Sequence, residues 1–218
     1  KSDYYAQLKT YPQEKCAMVV NPLSSDLNCM RQTLLLNGLE VVAYNINRQQ
    51  NDLKLFEYGN VYSFNPDFKA PEFDASNPEE VLAHRGDALK AYSEEPKFSI
   101  FITGNGYQGW RNRTVGGNFF TLKGYLELLL AKFGVNVANL EYENAPADLF
   151  AEGLSYKVSG GKEIAVMGTV SKARLKQFGI KQPVFAAEIS WNVLLKQIKK
   201  NKVQYKELPK YPEVKRDL

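Results

Sequence analysis

Residues 21–62 have the sequence NPLSSDLNCMRQTLLLNGLEVVAYNINRQQNDLKLFEYGNVY, which holds the two strongest patterns of this chain. In its middle, apolar residues recur at three- and four-residue steps, the period of an α-helix. These residues are Leu34, Leu35, Leu39, Val42, Ala43 and Ile46. Residues 24–26 supply capping side chains, so we predict a helix from there to Arg48. An apolar and aromatic strand is predicted over residues 53–64.

The predicted helix also carries polar groups. Arg31 and Arg48 can form charge-assisted hydrogen bonds, and Tyr44 and Asn47 lie near its end. An amphipathic helix with a solvated side would explain this mixture, but a surface covered by another protein explains it better. The predicted subunit-interface residues are Arg31, Leu34, Leu35, Leu39, Tyr44, Asn47 and Arg48. Gly38 costs a helix about 1 kcal/mol relative to alanine, so we expect it to allow close approach of another backbone.

The composition is that of an ordinary folded protein. The chain has 218 residues, 44% of them hydrophobic and 24% charged, which suits one large domain or two small ones. A net charge of +4 permits nucleic-acid contact but does not argue for it. Cys16 and Cys29 form no disulfide framework, and there is neither a signal peptide nor an apolar run of the roughly 20 residues that cross a bilayer. We therefore expect a cytoplasmic protein.

The rest of the chain contains strands and helices in irregular order. Strands are predicted over residues 17–20, 98–103, 140–142, 154–158, 163–170 and 183–189, and helices over residues 79–92, 122–133, 171–178 and 191–198. Several of the strands follow one another through short turns. This order favours an α+β fold with a mostly antiparallel sheet flanked by helices.

The segment Gly104–Gly109 matches G-x-G-x-x-G after an apolar strand. A dinucleotide site needs a helix that opens inside this motif, yet no helix is predicted before Leu122. We interpret the segment as a loop, with a stand-alone nucleotide-dependent enzyme as the alternative. Arg111 and Arg113 are candidate contacts for RNA or a partner carboxylate. Together with lysines in residues 196–202 they define a further alternative, an RNA-binding module.

His84 is the only histidine in the chain. A Ser/His/Asp relay or a zinc site with several imidazoles is therefore close to excluded. We interpret His84 as a solvated or helix-packing residue on the predicted helix 79–92. We predict no catalytic residue and no metal ligand in this chain.

In their order along the chain, several segments resemble the beta subunit of bacterial phenylalanyl-tRNA synthetase. The segments are NPLSSDLNCMRQTLLLNGLEVVAYNINR (21–48), DLKLFEYGNVYSF (52–64), FSIFITG (98–104) followed by Trp110, FFTLKGYLELLL (119–130) and IAVMGTVSKARLKQFGIKQPVFAAEISWNVLL (164–195). The closing segment, residues 207–218, resembles the linker into that subunit's anticodon-binding domain. The resemblance covers roughly residues 16–218, and its first segment is specific enough to distinguish it from a chance match.

The resemblance implies a cytoplasmic (αβ)₂ enzyme that charges tRNA(Phe) with phenylalanine, using ATP and Mg²⁺. Residues 1–205 would form a class II synthetase-like, catalytic-like domain. Residues 206–218 would be the linker and the start of a truncated C-terminal anticodon-binding domain. The chain lacks an initial methionine and ends after Pro209 and Pro212, so we interpret it as a fragment of a longer protein.

The resemblance also implies that the catalytic features have been lost. Class II enzymes hold the ATP α-phosphate with an arginine in an F-R-x-E strand, but the corresponding segment here is Phe101–Gly104. They carry a second arginine where a glycine-rich strand enters a helix, but here Phe185–Asn192 lacks it. We therefore predict a structural module without cofactor that packs against the alpha subunit and meets tRNA(Phe) only through the holoenzyme. The exposed helix would also favour a homodimer of the isolated chain.

Overall fold

Six β-strands form the centre of the structure. The computed structural model describes residues 1–69, 71–72, 76–84, 86–106 and 116–198, apart from the side chain of Val81. The strands are β1 (Leu53–Phe64), β2 (Tyr92–Thr103), β3 (Glu141–Asn144), β4 (Phe150–Val158), β5 (Lys162–Val170) and β6 (Val184–Ser190). They make one sheet in the order β1-β2-β6-β5-β4-β3, and every neighbouring pair is antiparallel. The predicted α+β class with an antiparallel sheet is confirmed.

The helices lie on both faces of this sheet. They are α1 (Leu34–Ile46), α2 (Pro78–Ala83), α3 (Phe119–Lys132), α4 (Lys172–Gln177) and α5 (Trp191–Ile198). Short 3₁₀ turns occur at Ser2–Tyr5, Gln13–Lys15, Ser25–Leu27, Asp87–Ala91 and Val137–Asn139. Helix α1 packs across β1, β2 and β6, while α3 and α5 pack across β2, β5 and β6.

The sheet separates two hydrophobic cores. Phe101 and Ile102 are neighbours on β2, yet Phe101 belongs to the core under α1 and Ile102 to the core under α3 and α5. This division follows from the two-residue period of a strand, which sends successive side chains to opposite faces. Burial on both faces explains the continuous apolar run at the end of β2.

Two predictions about element length need correction. The predicted helix 79–92 ends at Ala83, because Gly86 adopts a left-handed conformation with φ of 88°. Strand β2 begins at Tyr92 rather than Phe98, and its polar first half pairs with the end of β1. Sequence periodicity missed this half because its side chains are mostly exposed. Strand β1 and helix α5 have the predicted bounds.

Helix α1 also begins later than predicted. Its N-cap is Thr33, whose side chain accepts a hydrogen bond from the Leu35 amide at 3.1 Å. The predicted caps at 24–26 lie in a 3₁₀ turn of a short hairpin instead, where Met18 and Cys29 form an antiparallel bridge. Helix α3 begins at Phe119 rather than at residue 122, and its N-cap Asn118 accepts a hydrogen bond from the Thr121 amide at 2.9 Å.

Some predictions fall on residues 199–218, which are outside the described residues. They are the domain boundary at residue 206 and most of the late lysine cluster. In the described part of the chain, every helix is too short or too polar to cross a membrane.

The Asp148 carboxylate fixes the N-terminal segment to the rest of the fold. It accepts hydrogen bonds from the amides of Lys9 and Thr10 at 2.8 and 2.9 Å, and from the Thr10 hydroxyl at 2.7 Å. Burial raises the pKa of Asp148, but these hydrogen bonds to the charged form outweigh it, and the net pKa lies below its ordinary value. The segment covers the same core as α1, through Tyr5 and Leu8.

We expect Asp148→Asn to destabilise the chain at neutral pH but not in acid. Because folding lowers the pKa of Asp148, its charge contributes stability above the ordinary value of 3.8, and that contribution is lost as the pH falls through the folded value. Urea unfolding of Asp148→Asn and of the unchanged chain measures the difference. The two midpoints should differ near neutral pH and converge below the folded pKa. A difference that persists there, or that also occurs in the exposed control Asp67→Asn, would contradict the assignment.

Candidate interaction surface

One side of helix α1 is buried in the chain's own core. Leu34, Leu35 and Leu39 are 0, 3 and 2% exposed. No partner can reach these three leucines while the domain is folded, which corrects their predicted place in a subunit interface. The helical period was recognised in the sequence, but it does not say whether the sheet or another subunit covers the apolar side. A charge at Leu35 would test folding rather than assembly.

The opposite side of α1 is exposed. Val41 and Tyr44 are 48 and 56% exposed. The guanidinium carbon of Arg48 lies 3.3 Å from the centre of the Tyr44 ring, a cation–π contact, and Arg48 also donates to the Tyr44 carbonyl at 3.1 Å. Asn47 is exposed at the C-cap of the helix. We call these four residues the outer stripe.

Arg31 lies outside α1, which corrects its predicted position on the helix. Its Nη1 atom is 2.5 Å from the Glu57 carboxylate, and Nε donates to the Asn60 carbonyl at 2.9 Å. The guanidinium lies over Gly59, where a Cβ atom would be 2.2 Å from Arg31 Nη2. Arg31 therefore ties the segment before α1 to strand β1. Its bond to a partner subunit stays a prediction.

A second exposed apolar surface lies on the other face of β1, which is the edge strand of the sheet. Phe56 and Tyr58 are 76 and 56% exposed. Phe56 stacks on Phe98 with 5.9 Å between ring centres, and Tyr58 meets Trp191 edge-on at 5.2 Å. The sequence predicted the strand but not this surface. The signal was available in the alternation of β1, because Leu53 and Leu55 lie on the opposite face.

A cleft of about 640 Å³ separates the N-terminal segment from α1 and β1. Its lining combines apolar, amide and charged groups, among them Cys29, Met30, Asn37 and Glu40. The Tyr4 hydroxyl donates to the Glu40 carboxylate at 2.5 Å across one wall. Sequence reasoning missed this cleft, since it is made from three segments that are distant along the chain.

The buried carboxylate of Glu188 joins the sheet to helix α1. Glu188 lies on β6 and is 2% exposed. Its Oε2 atom accepts from the Thr33 hydroxyl at 2.7 Å and from the Leu34 amide at 2.8 Å. Lys97 Nζ is 3.4 Å from Oε1, and the Tyr11 hydroxyl donates to the same atom at 3.4 Å. Negative charge thus meets the positive end of α1, an arrangement that stabilises a helix N-terminus.

The two segments that correspond to catalytic strands of class II enzymes lie at the end of β2 and across β6 and the start of α5. Phe101 and Ile102 are buried in the two cores, while the Thr103 hydroxyl donates to the Pro183 carbonyl at 2.7 Å. Among the residues of β2 and β6, Lys97 is the single basic side chain, and it faces Glu188. Neither strand therefore presents a basic side chain that lacks a carboxylate partner.

The start of the glycine-rich motif forms a tight turn. Gly104 has a φ of 75°, and its carbonyl accepts from the Gly117 amide at 2.8 Å. The Asp52 carboxylate accepts from the Asn105 amide at 2.7 Å, so an anion from the chain itself occupies this part of the loop. Residues 107–115 lie outside the described residues. Arg111 and Arg113, the candidate contacts for RNA or a partner, belong to that segment.

His84 lies at the end of α2 rather than inside a longer helix. Its Nδ1 atom is 2.7 Å from the Asp87 carboxylate. Over residues 1–69, 71–72, 76–84, 86–106 and 116–198, no group of three or more His, Cys, Asp and Glu side chains is placed to hold a metal ion.

Comparisons with known proteins agree on one family. Residues 1–191 match the model of the phenylalanyl tRNA synthetase beta chain CLM domain. The chain is 42% identical to the phenylalanine–tRNA ligase beta subunit of Bacteroides thetaiotaomicron and 36% identical to that of Porphyromonas gingivalis, over 100% and 99% of its own length. It spans about a quarter, 25%, of each relative.

The fold also resembles a solved structure of another synthetase. The crystal structure of pyrrolysyl-tRNA synthetase from Desulfitobacterium hafniense superimposes with a TM-score of 0.57 at 11% identity. The match covers 91% of this chain and 59% of that one. At this identity the likeness concerns the fold alone.

Proposed function

The chain belongs to the family of the phenylalanyl tRNA synthetase beta chain CLM domain, and on this basis we propose that it is a non-catalytic assembly module. In the proposal, it is part of the beta subunit of a cytoplasmic heterotetramer that charges tRNA(Phe) with phenylalanine. The alpha subunit is its partner. ATP and Mg²⁺ are used by the holoenzyme, and this module holds neither.

The outer stripe of α1 carries the proposal. A helix that packs only one side on its own sheet normally exposes a polar opposite side. Here Val41 and Tyr44 are exposed on that side, and Arg48 is already stacked on the Tyr44 ring. Aromatic residues and arginine are enriched at the centres of protein interfaces.

The polar centre of the sheet supports the non-catalytic part of the proposal. A triphosphate carries several negative charges and needs preorganised cations. The single basic residue of β2 and β6, Lys97, lies 3.4 Å from Glu188. The carboxylate would repel a phosphate at the same position, and its other oxygen, Oε2, already accepts from Thr33 and Leu34.

We expect the double substitution Val41→Glu/Tyr44→Glu in the beta subunit to weaken assembly with the alpha subunit. Both positions are exposed in the module, so folding should be retained, whereas burying the two new carboxylates in an apolar contact would oppose the complex. The loss should be at least about 30-fold in affinity, which corresponds to roughly 2 kcal/mol for central interface residues. Co-expression followed by sedimentation measures the complex.

The matched control is Leu128→Glu/Tyr142→Glu, which also replaces one exposed aliphatic and one exposed tyrosine, here 58 and 72% exposed. These residues lie on α3 and at the β3 edge, away from α1. Unchanged assembly of the first variant, or equal weakening by both, would contradict the proposed surface.

Two alternatives give different results in simple assays. Phenylalanine-dependent ATP–pyrophosphate exchange by the chain alone would indicate a stand-alone nucleotide-dependent enzyme and overturn the non-catalytic role. Salt-dependent binding of tRNA, lost on Arg111→Ala, would indicate an RNA-binding module. The Asp52 carboxylate at the Asn105 amide argues against the first alternative.

A further inference from the structure

Cys16 and Cys29 lie on the two arms of the short hairpin that precedes α1. Met18 is opposite Cys29 in an antiparallel bridge. The Met30 amide donates to the Ala17 carbonyl at 2.8 Å, and the Val19 amide donates to the Asn28 carbonyl at 2.9 Å. These backbone bonds hold Cys16 and Cys29 on facing arms of the hairpin, with Cys29 opposite Met18, two residues beyond Cys16.

The two thiols have different surroundings. Cys16 is buried, and its sulfur accepts a hydrogen bond from Gln32 Nε2 at 3.1 Å. Cys29 is half-buried and lines the 640 Å³ cleft, so small molecules can reach it. The neighbouring Cys16 thiol lowers the pKa of Cys29 to about 7, and Cys29 in turn raises the pKa of Cys16. An accessible thiolate beside a buried thiol is the arrangement of a reactive cysteine with a resolving partner.

We propose that Cys29 and Cys16 form a peroxide-reactive dithiol, a modification site whose oxidant is a small hydroperoxide entering through the cleft. The inference does not depend on the proposed function of the module. It rests on the facing arms of the hairpin, on the burial of Cys16 and on the opening of the cleft at Cys29 alone.

The chemistry has two steps. The Cys29 thiolate attacks one oxygen of hydrogen peroxide, the O–O bond breaks, and Cys29 becomes a sulfenic acid while hydroxide leaves. The Cys16 sulfur then attacks the Cys29 sulfur, the S–O bond breaks, and water leaves with the proton from Cys16. The two thiols lose two electrons in total, and the peroxide is reduced by the same two electrons.

The disulfide would form immediately beside the start of α1. Gln32, which donates to Cys16, also donates its backbone amide to the Tyr5 hydroxyl at 2.9 Å, and Thr33 follows as the N-cap. Oxidation therefore crosslinks the hairpin where the N-terminal segment, the hairpin and α1 meet.

The sequence provides a direct test. Trypsin cleaves after Lys15 and Arg31, and no basic residue lies between them, so both cysteines fall on the single peptide 16–31. The holoenzyme is treated with hydrogen peroxide, blocked with iodoacetamide and digested without reductant. We expect peptide 16–31 to lose two hydrogen atoms in mass and both alkylation sites, and to regain them after reduction. Oxidation of Met18 or Met30 is distinguished because it adds an oxygen atom.

Two variants separate the roles of the thiols. In Cys16→Ser, peroxide should give a Cys29 sulfenic acid that dimedone traps. In Cys29→Ser, dimedone should label Cys16 at least about tenfold less, because Cys16 is buried and its thiol is protonated. The proposal is overturned if peroxide-treated holoenzyme keeps both thiols open to iodoacetamide. It is equally overturned if dimedone labels the two variants alike, or if peroxide leaves the unsubstituted protein with a sulfenic acid and no disulfide.

Discussion

Glu188→Ala should lower the free energy of unfolding of the chain by about 3 kcal/mol, the size expected when one partner of a buried charged pair is removed. The substitution leaves the Leu34 amide and the Thr33 hydroxyl without their acceptor inside the protein. It also leaves Lys97, whose side chain is only 15% exposed, without its carboxylate. Helix α1 would lose the contact that fixes its N-terminus to the sheet. Urea unfolding, with the slope checked for constancy, measures the change.

Two further variants show which property of Glu188 matters. Glu188→Gln keeps an oxygen acceptor but loses the charge, so its cost should lie between the unchanged chain and Glu188→Ala. Glu163→Ala is the control, because Glu163 is exposed and accepts one hydrogen bond, from the Ser155 hydroxyl at 2.6 Å. We expect it to cost less than about 1 kcal/mol. If Glu188→Ala were as stable as Glu163→Ala, Glu188 would not be an anchor of α1.

Gly38→Ala should destabilise the chain by about 2 kcal/mol, although alanine is the better helix former. A Cβ atom at Gly38 would lie 1.9 Å from Cζ of Phe101, a ring that is 2% exposed and enclosed by the core. Overpacking of this kind costs up to about 3 kcal/mol, while the gain in helix propensity is about 1 kcal/mol. The clash therefore decides the sign. It also corrects the expectation that Gly38 admits another backbone, since its neighbour is an aromatic side chain.

Gly124→Ala is the matched control, because Gly124 is exposed inside helix α3 and a Cβ there would meet nothing within 4 Å. It should stabilise the chain by up to about 1 kcal/mol. The double variant Gly38→Ala/Phe101→Leu should lose less unfolding free energy than the two single variants lose in total, since the smaller side chain relieves the contact. Equal responses of Gly38→Ala and Gly124→Ala in thermal or urea unfolding would contradict the role of the Phe101 ring.

Elements with a strong local pattern were predicted correctly. Alternation of apolar residues gave β1 its bounds, and the strands predicted over residues 154–158 and 163–170 form the hairpin of β4 and β5. Helix α4, predicted over residues 171–178, is capped by Ser171 and followed by Gly179 in the left-handed conformation. In each case the information lies in neighbouring residues, so no tertiary contact is needed to recognise it.

Of the seven predicted interface residues, three are buried within the chain and three are exposed on helix α1 or just after it. The helical period was recognised, yet it could not show that Leu34, Leu35 and Leu39 face the chain's own sheet. The exposed Tyr44, Asn47 and Arg48 stay in the predicted surface, and Val41 joins them. An amphipathic pattern records that one side of a helix is covered, but the covering element can belong to the same chain or to another.

The sequence by itself determined the types of most elements, the antiparallel α+β class and the family, because these depend on local periodicity and on motifs in order. Only the tertiary structure decided where α1 begins, which of its sides is free, and that Cys16 and Cys29 lie on facing arms of a hairpin beside a cleft. The start of α1 shows the reason. Its Thr33 cap bonds to a carboxylate 155 residues away, and local propensity cannot encode a contact between such distant segments.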